Sequence, residues 1–98
     1  MTINKTLNGK QLTIALEGRL DTTTAPELEQ VLKESLDSVD ALTMDFSKLD
    51  YISSAGLRVL LSAHKTMSRK GGMKVTNVNE IVEEVFDVTG FADILTIE

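Results

Sequence analysis

The segment DFSKLDYISSAGLRVLL, residues 45–61, sets the architecture of this chain, because it passes from a strand through a loop into a helix. Alternating apolar residues predict the strand over residues 41–46. The helix is predicted from about residue 55 to residue 69, and Gly71-Gly72 follows it as a C-terminal cap. Its inward stripe has the three- and four-residue spacing of a buried helix face: Leu57, Leu60, Leu61 and His64.

Two strands are predicted near the N-terminus. Residues 3–7 alternate weakly between apolar and polar side chains, and residues 12–16 alternate cleanly. Asn8-Gly9 lies between them and favours a tight hairpin turn, in which both central positions need positive φ. The chain is therefore expected to open with an antiparallel hairpin.

A first helix is predicted between the hairpin and the strand at residues 41–46. Thr24 is a good N-cap with Glu27 three residues later, which matches a capping box. Pro26 in the first turn costs no helical hydrogen bond. The predicted buried stripe consists of Leu28, Val31, Leu32 and Leu36.

A strand, a helix and a short last strand complete the predicted elements. The strand covers residues 73–78, the helix is capped by Asn79 and ended by Gly90, and the last strand lies within residues 92–97. The inward residues of this helix are expected to be Ile81, Val82, Val85 and Phe86.

This order of elements predicts an α/β fold. We expect a central mixed β-sheet of about four to five strands, opened by the hairpin, with right-handed crossovers and helices packed on the sheet. The chain has no linker or internal repeat, so residues 1–98 are expected to form a single domain.

The composition excludes several classes of function. The chain has 10 Lys and Arg against 15 Asp and Glu, a net charge of −5, so it lacks the basic surface that nucleic acids and anionic membranes require. It has no cysteine and one histidine, which excludes Cys-ligated zinc and a multi-histidine metal site. No metal and no cofactor are expected. Residues 1–10 lack the pattern of a signal peptide, and no apolar run approaches the ~18 residues that span a bilayer. A cytoplasmic location is therefore expected.

Ser53 and Ser54 form the candidate site, because they stand where a loop enters a helix. The simplest interpretation is a cap, in which a serine oxygen accepts a backbone N–H and contributes ~1 kcal/mol. Two details favour a further role. The first turn, residues 55–58, contains no acid, and small Gly56 is expected to leave room for an anion at the positive end of the helix dipole. The fold is therefore expected to tolerate a phosphate on Ser54.

Other candidates have simpler explanations. Asp21 is expected to bind the N–H groups of a turn, with positioning of a hydroxyl or a metal-bound phosphate as the alternative. His64 lies about 15 Å along the helix from Ser54, too far for a general base, so a partly buried structural histidine is expected. Neither a nucleophile elbow nor a phosphate-binding loop is present, so no enzymatic activity is expected. A basic outward face is expected to be solvated or to form half of a protein-binding surface: Arg58, Lys65, Arg69 and Lys70.

Across essentially its whole length the chain resembles the STAS domain, the fold of bacterial anti-sigma factor antagonists. Residues 45–61 carry the strongest resemblance. Gly18-Arg-Leu-Asp21 with Thr24-Ala-Pro-Glu-Leu28 resembles the family's strand-loop-helix entry. Gly71-Gly-Met-Lys-Val75 resembles its helix-to-strand turn, and Val85-Phe86 with Thr89-Gly90 resembles its last helix.

The resemblance implies a partner switch without chemistry of its own. In such families the unphosphorylated antagonist binds an anti-sigma factor, itself a serine/threonine kinase, and so releases a sigma factor for transcription. The kinase phosphorylates the antagonist on a serine at the start of the second helix, which ends the association, and a metal-dependent serine phosphatase restores it. Ser54 matches that serine, and Asp21 matches a family acid close to it.

Two departures from the family pattern keep alternatives open. Ser53 stands where the family often has Asp, and Ala55 where it often has Ser or Thr, so Ser53 is the alternative acceptor. A different hypothesis makes the chain a subunit of a membrane transport complex of the ABC type, which docks on an ATPase without phosphorylation. A third is nucleotide binding, which no phosphate loop supports. The expected surroundings of the phosphorylation site are Asp21, Thr22, Ser53, Ala55, Gly56, Leu57 and Arg58.

Overall fold

Five strands form one mixed sheet, and they lie across it in sequence order. The computed structural model describes residues 1–98. β1 pairs antiparallel with β2, and the pairs from β2 to β5 are parallel. This arrangement confirms the predicted α/β fold. The elements are β1 (Thr2–Asn8), β2 (Gln11–Leu20), α1 (Ala25–Ser35), β3 (Ala41–Ile52), α2 (Ser54–Met67), β4 (Met73–Thr76), α3 (Glu80–Thr89) and β5 (Thr96–Ile97).

The three helices connect successive parallel strands, so right-handed crossovers place them on one face of the sheet. Phe46 of β3 packs against Phe86 of α3 with ring centroids 6.4 Å apart. The helices begin where the strands end, and this edge of the sheet is called the carboxyl edge below. Alternate residues of β2 and β3 are buried on the helical face: Leu12, Ile14, Leu16, Leu42, Met44 and Phe46.

The hairpin is present, but its turn lies one residue later than predicted. Asn8 pairs with Gln11, so Gly9 and Lys10 are the turn residues. Gly9 has a φ of 64°, while neither Asn8 nor Lys10 has a positive φ. Because glycine at the first central position supplies the positive φ of the turn, Asn8 stays in the strand.

β3 runs beyond the predicted strand, because the expected loop at residues 47–52 continues it. Leu49 and Ile52 are buried, and pairing with β2 extends as far as the pair of Leu20 with Ile52. Two register shifts interrupt this pairing. The shifts break the strict alternation of apolar residues that marks a strand in the sequence, which is why these residues resembled a loop.

Asp45 lies within β3 and not at either of its ends. Its Oδ1 accepts hydrogen bonds from the Asn77 Nδ2 at 3.0 Å and from the Ser47 N–H at 2.9 Å. The Asn77 amide, followed by the Ser47 N–H, holds the pKa of Asp45 below its ordinary value. The carboxylate therefore fastens the loop after β4 to the centre of the sheet.

Two helical predictions are wrong. Thr24 stands before α1, but its side chain makes no cap, so the capping box with Glu27 does not form. The Thr24 hydroxyl instead donates to the Arg19 carbonyl at 2.8 Å. This bond holds the turn after β2, so the hydroxyl does not cap α1. In α3, Ile81 is 59% exposed rather than buried.

In the last third of the chain, β4 ends at Thr76, two residues before the predicted end, because Asn77 has a φ of 59° that leaves the strand conformation, whereas both ends of α3 are as predicted. The Asn79 Oδ1 caps α3 by accepting the Val82 N–H at 2.8 Å, and Gly90 ends this helix with a φ of 82°. The final strand is shorter than expected, because a 3-10 turn at Phe91–Asp93 precedes it.

Candidate functional site at the start of the second helix

The loops after β2 and β3 lie side by side at the carboxyl edge. These strands end as a register pair, Leu20 with Ile52. The Ser53 N–H then donates to the Leu20 carbonyl at 2.9 Å. Because this bond joins the last residue of β2 to the residue before α2, it brings the loop that carries Asp21 next to the start of α2.

The start of α2 has exposed Ser54 as its first residue. Ser53 is the N-cap residue, with extended backbone at φ −101° and ψ 176°, but its hydroxyl makes no capping hydrogen bond. The first turn contains no acidic residue. The first N–H groups of α2 therefore have no side-chain acceptor, and the dipole places partial positive charge beside Ser54. The prediction that these serines cap the helix is wrong.

The two serines differ in accessibility. The Ser53 Oγ is buried and has no hydrogen-bond partner, whereas Ser54 is exposed. A kinase must bring the γ-phosphoryl group of ATP in line with the attacking oxygen. Of these two serines, Ser54 alone has a side chain that an enzyme can approach.

Gly56 lies in the first turn of α2 and is buried against the ends of β2 and β3. A Cβ at this position would lie 2.7 Å from the Leu20 Cγ and 2.9 Å from the Ile52 Cγ1. Glycine is therefore what allows α2 to start this close to β2 and β3. The expectation that Gly56 leaves room for an anion is wrong, because Leu20 and Ile52 fill that space. Leu57 is also buried, so both residues support the site from the core side.

The Asp21 carboxylate organises the turn between β2 and α1. Its Oδ1 accepts the Thr23 hydroxyl at 2.8 Å, the Thr23 N–H at 3.0 Å and the Thr24 N–H at 3.2 Å. The Thr23 hydroxyl, followed by these N–H groups, holds the pKa of Asp21 below its ordinary value. The turn role expected from the sequence is confirmed, and Thr22 is exposed on the same turn.

Arg19 and Tyr51 form a pair beside this turn that the sequence analysis missed. They are register partners on β2 and β3, and the Arg19 Cζ lies 4.5 Å from the Tyr51 ring centroid. The Arg19 Nε also lies 3.7 Å from the Asp21 Oδ2. The pairing depends on the register shifts between the two strands, so no spacing in the sequence reveals it.

The basic face predicted on α2 is present in part. Lys70 donates from Nζ to the carbonyls of Leu36 and Val39, which lie just after α1. Its ammonium group is therefore bound within the protein rather than free to contact a partner. Three other basic residues are exposed and form no ion pair: Arg58, Lys65 and Arg69.

His64 is half-buried, as predicted, and its Nδ1 is buried without a hydrogen-bond partner. No three His, Asp or Glu side chains converge as metal ligands would. None of the helices combines the length and apolar character needed to cross a membrane. The site thus presents exposed Ser54 and Thr22, the polar Asp21 turn and exposed Arg58, a set of groups that suits recognition by another protein.

These features define a small α/β domain with an exposed serine where its second helix starts. A family model for the STAS domain matches residues 2–98, and the chain belongs to this family.

Relatives in sequence carry names from one functional group. BtrV of Bordetella bronchiseptica, whose name assigns it to the anti-sigma factor antagonists, is 34% identical over 88 residues, covering 88% of this chain and 76% of BtrV. The anti-sigma-B factor antagonist of Bacillus subtilis is 29% identical over 91 residues, covering 92% of this chain and 84% of that protein.

Solved structures confirm the predicted fold. The anti-sigma factor antagonist from Mycobacterium paratuberculosis superposes with a TM-score of 0.89 at 24% identity, covering 98% of this chain and 83% of its own. The antagonist SpoIIAA in its unphosphorylated form gives a TM-score of 0.85 at 17% identity, covering 99% and 88%.

Proposed function

We propose that this protein is a cytoplasmic anti-sigma factor antagonist whose binding to its partner is switched off by phosphorylation of Ser54. Unphosphorylated, it binds an anti-sigma factor that is a serine/threonine kinase, and the sigma factor is released. A metal-dependent serine phosphatase resets the switch. The observation that carries the proposal is the exposed Ser54 hydroxyl at the start of α2, in a chain whose relatives are named for this activity.

The chemistry of the switch belongs to the kinase. The Ser54 oxygen attacks the γ-phosphorus of ATP, the bond to the ADP oxygen breaks, and the hydroxyl proton passes to a base of the kinase. The antagonist needs only to present the oxygen, so it needs no base of its own beside Ser54. Ser53 is the poorer acceptor, because its Oγ is buried. SpoIIAA, which shares this fold, is known in unphosphorylated and phosphorylated forms, and this precedent supports the proposal.

The fold is suited to accept the new charge. Phosphorylation adds about −1.5 to −2 charges, and at Ser54 they would meet the uncapped N–H groups and the positive end of the α2 dipole. We therefore expect the phosphorylated protein to stay folded, with the switch acting at the interface.

The interface is where the phosphate takes effect. The partner contacts the exposed groups around Ser54, which include Thr22, Arg58 and part of Ala55, while Gly56 and Leu57 hold the surface in shape. A dianion set against an apolar or acidic contact there costs about 2–3 kcal/mol, which weakens binding by roughly 30- to 150-fold. An effect of this size is sufficient to exchange partners.

A kinase assay with matched serine variants tests the proposal. The purified chain is incubated with the anti-sigma factor kinase and ATP, and the phosphate is located by mass spectrometry. Ser54→Ala is expected to abolish incorporation, and Ser53→Ala to leave it intact. Incorporation that survives in Ser54→Ala and disappears in Ser53→Ala would move the site to Ser53. Co-purification with a transport ATPase subunit, without phosphate on Ser54, would replace the proposal with the docking hypothesis.

A further inference from the structure

The third helix presents an apolar stripe to solvent. Ile81 is 59% exposed and Val88 is 77% exposed, and half-buried Val85 lies between them. Residues 81, 85 and 88 share one side of a helix because of their four- and three-residue spacing. We call these three residues the α3 face. The neighbouring stripe of α3, Val82 and Phe86, is buried in the core, so the α3 face has no packing partner within the protein.

Four exposed carboxylates of α3 all lie to one side of the α3 face, the side away from Val82 and Phe86. The ion pairs of the protein all lie elsewhere, and α3 contains no basic residue. One of the four, Asp87, stands in the last turn, where the helix dipole is negative and an acid is unfavourable. Glu80 and Glu83 lie in the first turn, where the dipole favours acids, but Glu84 and Asp87 lie beyond it, so helix stability does not account for these two. The carboxylates are Glu80, Glu83, Glu84 and Asp87.

We propose that the α3 face is a docking surface for a cationic amphipathic segment of a partner protein. Aliphatic side chains of such a segment would cover Ile81, Val85 and Val88, and its Lys or Arg side chains would pair with the carboxylates. A partner segment of this kind accounts both for the exposed apolar residues of α3 and for its carboxylates. The surface is on α3 rather than at Ser54 on α2, so it does not depend on the phosphorylation switch.

Other occupants fit the surface less well. Two copies of the chain joined through their α3 faces would bring two sets of unpaired carboxylates together. The basic groove on α2 does not complement the α3 face either, because no apolar residue lines it; it is formed by Ser62, Lys65, Thr66, Arg69 and Lys70. An anionic membrane would be repelled by the same carboxylates.

A titration with a designed peptide tests the proposal. The probe is a synthetic helical peptide of leucine and lysine with all leucines on one face, added to the isotopically labelled full chain. We expect NMR shift changes centred on α3 and an affinity that falls steeply with added salt. A matched peptide with glutamate in place of lysine is expected not to bind. Equal binding of both peptides, or shift changes confined to other elements, would overturn the proposal.

Variants at exposed positions distinguish specific binding at the α3 face from non-specific apolar binding elsewhere on the surface. Ile81→Ser with Val88→Ser is expected to weaken peptide binding by about 10-fold or more. Leu7→Ser is the matched control, since Leu7 is 62% exposed on β1 and is expected to leave affinity unchanged. Glu84→Gln with Asp87→Asn is expected to reduce both the affinity and its salt dependence.

Two results would contradict the proposal. The first is unchanged affinity in the double serine variant. The second is self-association of the chain that the double serine variant abolishes, because it would assign the α3 face to a second copy.

Discussion

Replacing Gly56 by alanine is a direct test of how α2 is seated on the sheet. The added Cβ would lie 2.7 Å from the Leu20 Cγ and 2.9 Å from the Ile52 Cγ1. Both neighbours are fully buried, with exposures of 0% and 1%, so neither can swing into solvent. We therefore expect the first turn of α2 to be pushed away from the ends of β2 and β3.

The expected loss of stability is the difference of two effects. Overpacking in a filled core costs about 1–3 kcal/mol, and contacts of 2.7 and 2.9 Å with two buried side chains place this change in the upper part of that range, at about 2–3 kcal/mol. Alanine in place of glycine in a helix returns about 1 kcal/mol. We expect a net loss of about 1–2 kcal/mol in the free energy of unfolding. In a chain of this size the Tm should fall by about 4–15 °C.

Urea denaturation followed by circular dichroism measures the effect of Gly56→Ala. Ser62→Ala serves as the control, because Ser62 is exposed in the same helix and its change should stay within about 0.5 kcal/mol. If Gly56→Ala were as stable as the wild type or more stable, the close approach of α2 to Leu20 and Ile52 could not be the reason for glycine there.

Three further changes test other parts of the structure. Ser54→Asp should raise the free energy of unfolding by about 0.3–1 kcal/mol, because it adds an acid at an uncapped helix start; in urea melts Ser54→Asn is the neutral control, and a loss of stability would contradict the proposed tolerance of phosphate. Lys70→Met should cost about 1–3 kcal/mol, because it leaves the Val39 carbonyl without a donor and the Leu36 carbonyl with only a long bond from the Val39 N–H; Lys65→Met, at an exposed and unpaired position, should be nearly neutral, and equal effects would show that the Lys70 bonds do not matter. The pKa of Asp45 is lowered on folding, so its contribution to stability is present above its unfolded value near 3.8 and is lost as the pH falls through the folded value. Asp45→Asn should therefore flatten the acid side of the stability–pH curve, and parallel curves would contradict this.

The order of elements could be predicted because each one carries its own local signal. Alternating residues mark β2, Asn79 and Gly90 mark the two ends of α3, and both boundary residues act as expected. The family pattern added the position of Ser54, which composition and spacing alone could not select. These signals lie within short segments and need no knowledge of what packs against them.

The features that were predicted wrongly or not at all have a different cause. Each of them depends on contacts between segments that are distant in the sequence. Residues 47–52 extend β3 because β2 pairs with them through shifted register, and the Arg19–Tyr51 pair follows from that shift. Gly56 faces Leu20 rather than an anion because α2 sits on the strand ends. Such facts arise in the assembled fold, where tertiary packing overrides local propensity.

The decisive measurement is the affinity of this protein for its anti-sigma factor kinase before and after phosphate is placed on Ser54. The proposed switch predicts that the phosphorylated chain remains folded and binds roughly 30- to 150-fold more weakly. Equal affinities for the two forms, with Ser54 shown by mass spectrometry to be fully phosphorylated, would contradict it.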